Sequence, residues 1–210
     1  MASTSNYFDA AYPEPWQVLG VNLKPFSLGH YIKLYRLGCA YVADETKQPT
    51  LGDLVLGVAV CSMGSHQDPA KDPFWIWLNR EEPGGWRKWF YRLCKKLGKK
   101  VPSPAELDMA LFGRAVGMFD FADKARLFAD YIDAHSKAPA YWETGKQDGG
   151  GNGGHWSQSV LHVLVSKCGY TQEEAHNVPL SKALADFFKH AESEGAVRIM
   201  TEQERTALGL

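Results

Sequence analysis

Seven histidines and four cysteines are the side chains of this 210-residue chain best suited to metal binding or nucleophilic chemistry, and their spacing decides whether they can act together. His155 and His162 stand seven apart and His176 and His190 fourteen apart, with no H-E-x-x-H and no carboxylate at a matching offset, so no metal site is predicted. Cys39, Cys61, Cys94 and Cys168 form no C-x-x-C pair, which points away from zinc ribbons and disulfide scaffolds and towards free thiols in a reducing compartment. One catalytic arrangement stays open, a cysteine hydrolase pairing Cys61 or Cys168 with His155 or His162. Cys61 falls at a helix C-terminus, where the dipole disfavours a thiolate, and therefore reads as a small buried hydrophobe. His30 shares its helix face with apolar residues and reads as a packed, hydrogen-bonded histidine. Asp120 and Asp123 sit on the watered side of a helix, where no substrate is sheltered. The run 145–154, with six glycines, precedes neither Lys-Ser nor Lys-Thr and does not follow a strand as a dinucleotide fingerprint must. It reads as a linker. No catalytic residue and no cofactor is predicted.

What remains is electrostatic. Over 86–100, Trp86, Trp89, Phe90, Leu93 and Leu97 trace one helical face, while seven Lys and Arg fill the rest without a single acid. In a chain of net charge −1 such clustering costs self-repulsion unless something negative answers it. Trp86, Arg87, Lys88, Arg92, Lys95, Lys96, Lys99 and Lys100 are therefore the predicted partner-binding residues. The candidates for the partner are a protein and nucleic-acid backbone; the bland alternative is a solvated face that answers the more acidic second half of the chain.

These residues must be positioned by helices. The longest periodic segment, 103–136, opens on Ser103-Pro104-Ala105-Glu106, a capping box with proline in the first turn, and repeats apolar residues from Leu107 to Ile132 at steps of three and four. Pro25 or Ser27 opens a helix that Gly38 stops, and Thr50 with Asp53 caps another over 51–62, although 54–60 would also suit a buried strand. Residues 157–168 read as a helix stopped by Gly169, with a strand as the alternative. Thr171 and Glu174 make a further capping box. Pro179 opens a helix over 180–194 that turns Leu184, Phe187, Phe188 and Ala191 inward, and Thr201 with Glu204 caps a last turn. Residues 16–23 read as one extended strand, 196–200 as extended chain, and 74–78 as aromatic core or interface. The predicted fold is a mainly α, multi-helix globular domain with a long central helix at about 103–136 and little or no β-sheet. Its expected divisions are an arm at 1–15, a helical core at 16–140, the glycine-rich linker at 145–155 and a helical subdomain at 156–210.

The run Leu23-Lys24-Pro25-Phe26-Ser27-Leu28-Gly29-His30 with Leu34 and Leu37-Gly38, taken with Asn177-Val178-Pro179-Leu180, Ala183, Ala191-Glu192 and Gly195, resembles small helical proteins encoded among the tail genes of bacteriophages and prophages. These are tail assembly chaperones or minor tail proteins, and the similarity covers about a third of the chain. It implies no enzyme activity and no cofactor, and a role in holding a hydrophobic, coiled-coil-rich tail component during assembly; no residue carries over as a known site. No uncharged apolar run approaches the ~20 residues that span a bilayer, and the amino terminus carries no leader, so a cytoplasmic location is expected, with the finished particle as a second one. The expected function is a non-enzymatic protein–protein interaction factor in phage tail assembly. Its expected partner is another tail or structural protein, with nucleic acid as the competitor, no membrane, and self-association as a further possibility.

Overall fold

The structure is a computed structural model that describes residues 16–43, 46–66, 68–80, 91–92, 96, 103–104, 106, 108, 121–144 and 155–209. The chain starts with a hairpin, β1 (Trp16–Val18) and β2 (Val21–Leu23), paired antiparallel with Trp16 opposite Leu23. Residues 16–23 are thus not one strand. Leu19 and Gly20 both take positive φ, 55° and 73°, the handedness that lets a two-residue turn follow the twist of its strands. Glycine does this freely, whereas Leu19 gives no turn signal in the sequence.

Helix α1 (Leu28–Arg36) follows, then α2 (Ala40–Ala43), α3 (Leu51–Ser62) and α4 (Pro73–Leu78). The cap of α1 is an unusual capping box. Ser27 Oγ accepts from His30 N–H at 3.3 Å, and the His30 ring takes the place of the usual Glu, its Nδ1 accepting from Ser27 N–H at 3.2 Å. With Nδ1 an acceptor, Nε2 carries the proton and donates to the Met63 carbonyl at 2.7 Å. His30 is accordingly a buried structural histidine. Thr50 and Asp53 cap α3 as the sequence indicates, so 51–62 is helix and not strand. Gly57 of α3 meets the Phe128 ring, which lies 2.5 Å from where a Cβ would stand.

Within the stretch predicted as one long helix, 103–136, the described helix is α5 (Phe121–His135); the predicted continuity lies outside the described residues, since 109–120 are not among them. The predicted capping box is present, with Ser103 N–H donating to Glu106 at 2.7 Å and Glu106 N–H to Ser103 Oγ at 3.2 Å; Gly113 and Gly117 lie outside the described residues. Helix α5 packs on α3 and β1, but α1 is the element that touches the most neighbours. After β3 (Tyr141–Glu143) come α6 (Trp156–Ser166), α7 (Gln172–Asn177), α8 (Leu180–Ser193), β4 (Val197–Ile199) and α9 (Glu202–Leu208). Strands β3 and β4 pair antiparallel, with Trp142 opposite Arg198. The protein is mainly helical, with two two-stranded sheets among the described residues where little or no sheet was expected. The short strands 141–143 and 197–199 lack the alternating runs that announce a sheet.

One buried cluster draws on both sides of the glycine-rich stretch, joining Val18, Phe26, Leu34, Leu54, Phe128 and Tyr131 to Val160, Leu164, Val178 and Leu180. The backbone bonds it too: Leu28 N–H donates to Val178 C=O at 3.3 Å and Leu180 N–H to Phe26 C=O at 2.8 Å, around a bridge between Ser27 and Pro179. Beneath α1, Lys33 Nζ lies 2.7 Å from the Asp72 carboxylate, both side chains removed from solvent. Asp72 also accepts from the N–H groups of His66, Phe74 and Trp75 and so caps α4. The segment between α3 and α4 is pinned further by Asn177, whose side chain accepts from Ser65 N–H at 3.0 Å and donates to Ser65 C=O at 2.6 Å.

Candidate functional site

Of the predicted partner-binding residues, Trp86, Arg87, Lys88, Lys95, Lys99 and Lys100 lie outside the described residues. Arg92 and Lys96 are described, helical and exposed. No geometry at the basic stretch follows from two of eight positions.

Two of the described thiols, Cys39 and Cys61, are buried, whereas Cys168 is half-buried. Cys61 is fully buried, and burial drives its thiol well above the ordinary range; burial raises Cys39 to about 11. A nucleophilic cysteine needs the opposite shift. His155 does not serve either thiol: its Nδ1 accepts from Ser157 N–H at 3.3 Å as the cap of α6, and its ring packs 4.2 Å from Tyr35 and 5.9 Å from Tyr31. Residues 156–166 form a helix and not the strand of the alternative reading. Among the described residues no group of three or more His, Cys, Asp or Glu is placed to hold a metal ion. Asp186 accepts from Tyr170 Oη at 2.6 Å and from Lys182 Nζ at 2.7 Å, but burial first and Asp186 second hold the Tyr170 phenol above its usual range.

A different site appears where α1, α6 and α8 converge. A cavity of about 530 Å³ opens between them, lined by Tyr31, Trp156, Val160, Leu184, Phe187 and Phe188 among others, with Ser136 and Ala138 at the exit of α5. Its described wall is almost wholly apolar, and among the described residues that line it there is no acid, base, histidine or cysteine. The sequence predicts that Leu184, Phe187 and Phe188 face inward, and they do, but they end half-buried because they line an open space instead of meeting a neighbour. The apolar face of α8 is wider than α1 and α6 cover. Leu180 and Ala183, one turn nearer its start, are the residues that reach the core.

The rim is aromatic. Tyr31 and Tyr35, one turn apart on α1, stack nearly parallel at 6.2 Å, and Tyr31 lies 4.6 Å from Trp156. Trp156 Nε1 donates to Tyr31 Oη at 3.2 Å, which fixes both rings with their edges to solvent. Tyr35 and Trp156 remain 41% and 39% exposed. Sequence reasoning missed this rim because a tyrosine pair at i and i+4 looks the same on a buried face as on an open one. The available signal was Trp156 at the first position of its helix, immediately after the polar glycine-rich stretch.

No family model, curated protein or solved structure matches this chain.

Proposed function

We propose that the protein is a non-enzymatic binding factor that holds an apolar segment of another polypeptide in the cavity between α1, α6 and α8, as an assembly factor does for a bacteriophage tail protein. The observation that carries this reading is the cavity itself. Its size is that of a specific site, on the order of 300–1,000 Å³, yet its wall has none of the convergent charged groups that fix a metabolite, so the chemistry it suits is that of clustered aliphatic and aromatic side chains. The raised thiols of Cys39 and Cys61 and the structural roles of His30 and His155 support a role without covalent catalysis. The tail-protein part of the proposal rests on the sequence resemblance alone; in the fold the resembling stretches meet, Leu28 N–H donating to Val178 C=O and Leu180 N–H to Phe26 C=O, beside the cavity that Leu180 helps to line.

The test is coexpression with a coiled-coil-rich tail protein and measurement of the affinity of the purified pair. Ser159→Trp fills the cavity from an exposed helix position, and Leu184→Arg puts a charge into its wall. Each should weaken binding tenfold or more without unfolding the protein. If both variants bind normally while replacing Lys95, Lys96, Lys99 and Lys100 by Ser abolishes binding, the partner sits on the basic stretch and the cavity reading fails.

A further inference from the structure

The two strands of the β3–β4 sheet leave their outer edges in different states. Thr144 N–H donates to Ala196 C=O at 3.3 Å and Met200 N–H to Ala140 C=O at 2.9 Å. Positions 140, 142 and 144 therefore turn their amides towards β4, and Tyr141 and Glu143 turn theirs away. On the outer edge of β4, Ile199 N–H is taken by the Glu192 carboxylate at 2.8 Å. On the outer edge of β3 the N–H and C=O groups of Tyr141 and Glu143 have no hydrogen-bond partner among the described residues. All of β3 is exposed, and it carries two large rings, Tyr141 at 38% and Trp142 at 42%. No lysine, proline or bulge interrupts 141–143; the edge is limited only by its shortness, three residues, and by the charge of Glu143.

We infer that the edge of β3 left open by the described residues pairs with β3 of a second copy of this chain, joining two sheets into one four-stranded antiparallel sheet about a two-fold axis at Trp142. This rests on backbone accounting and is independent of the cavity. Centred on Trp142, Tyr141 faces the partner's Glu143 and Glu143 faces the partner's Tyr141. Each of these pairs exchanges both of its N–H···O=C bonds, so every outward amide group of the strand is satisfied. The side chains agree with that register. Each phenol meets a carboxylate that can accept its hydrogen, and Trp142 packs on the partner's Trp142 across the axis, next to Arg198 on the same face. No other register pairs both outward residues. Because Glu192 occupies part of the edge of β4, the assembly closes as a dimer instead of growing into a filament. Three residues a side cover far less than the ~800 Å² per partner of a permanent interface, so the dimer forms reversibly as concentration rises.

The experiment is sedimentation of the full chain over a range of concentrations, with two variants. Glu143→Pro deletes an N–H that the internal ladder does not use and obstructs the edge, so the fold survives and the dimer dissociation constant rises tenfold or more. Trp142→Cys, made with Cys94 and Cys168 replaced by Ser, brings two thiols together at the axis: facing residues that do not exchange hydrogen bonds have Cα atoms ~4.5 Å apart, within disulfide range. Under mild oxidant it should cross-link rapidly, while Arg198→Cys in the same background should not. A wild-type chain that stays monomeric at every concentration overturns the inference. So does a dimer that Glu143→Pro leaves intact, or one that cross-links through position 198 in preference to 142.

Discussion

Replacing Lys33 by Met should destabilise the protein by about 3–5 kcal/mol at pH 7, the cost of leaving a buried charge without its partner. The residue it strands is Asp72, whose side chain is 0% exposed. In the native protein its carboxylate accepts from Lys33 Nζ at 2.7 Å and from three backbone N–H groups, so every lone-pair direction is used and no water is needed. Methionine fills the volume of the lysine stem but also removes the ammonium from over the Phe74 ring and from the Gly64 carbonyl, 3.3 Å away, so those smaller losses are included in the change. A loss of that size is a large share of the ~5–15 kcal/mol by which a domain of this kind is stable. The pH dependence follows from the two partners. Burial raises the Asp72 pKa, but the Lys33 hydrogen bond and the surrounding amides outweigh it and leave the group below its ordinary value. Stability from Asp72 is therefore present above the unfolded-state pKa and is lost as pH falls through the lower native one. For Lys33 the balance runs the other way, with burial outweighing the pull of Asp72, so its pKa is lowered and the pair is held chiefly by the carboxylate's demand for a cation. In Lys33→Met that demand is unmet, the Asp72 pKa rises, and protonation relieves the variant. The gap between wild type and variant should accordingly be widest near neutrality and shrink towards pH 3. Urea unfolding at several pH values measures it, and Asp72→Asn completes a double-mutant cycle in which the two losses should be strongly non-additive. A penalty below about 1 kcal/mol at pH 7, or one independent of pH, would refute the buried pair.

His30 makes a second acid-sensitive site. Burial, resisted by its bond to Met63, lowers its pKa from 6.5 to about 4, so the unfolded chain binds its proton first and stability falls as pH drops from 6.5 to 4, by about 3 kcal/mol in total. His30→Gln should be less stable at pH 7 and show a flatter profile across that window; an unchanged slope would mean that the ring is accessible to water. His135, also lowered by burial, contributes in the same direction. The thiols offer a third check: under native conditions iodoacetamide should modify the half-buried Cys168 well before Cys39 or Cys61, read by peptide mass spectrometry. Prompt labelling of Cys61 at neutral pH would sink the burial argument and restore the hydrolase alternative.

The sequence disclosed most of the helices because their ends are written in local chemistry. Thr50 with Asp53, Thr171 with Glu174 and Thr201 with Glu204 all form the capping boxes that their spacing announces, and Gly38, Gly169 and Gly195 all take the left-handed conformation that stops a helix. The hairpin at 16–23 was hidden by Leu19, since nothing about a leucine foretells a positive φ that only the pairing of its flanking strands sustains. Strands β3 and β4 were hidden for a related reason: fifty-odd residues separate them, and each is too short to show a period, so their pairing exists only in the folded chain.

The cavity was illegible on a different ground. Periodicity tells which face of α8 is apolar, but not how much of that face its neighbours can cover, and that quantity depends on where α1 and α6 stand after folding. The amino-terminal half of α8 puts Leu180 and Ala183 against Phe26 and the core, and the same stripe continued one turn further, Leu184, Phe187 and Phe188, runs out past the end of that cover. Tyr141 closes over part of the overhang by stacking 4.5 Å from Phe188, and in doing so it anchors β3 with its open edge beside the cavity. Among the described residues, the apolar stripe of α8 thus runs further than α1 and α6 cover.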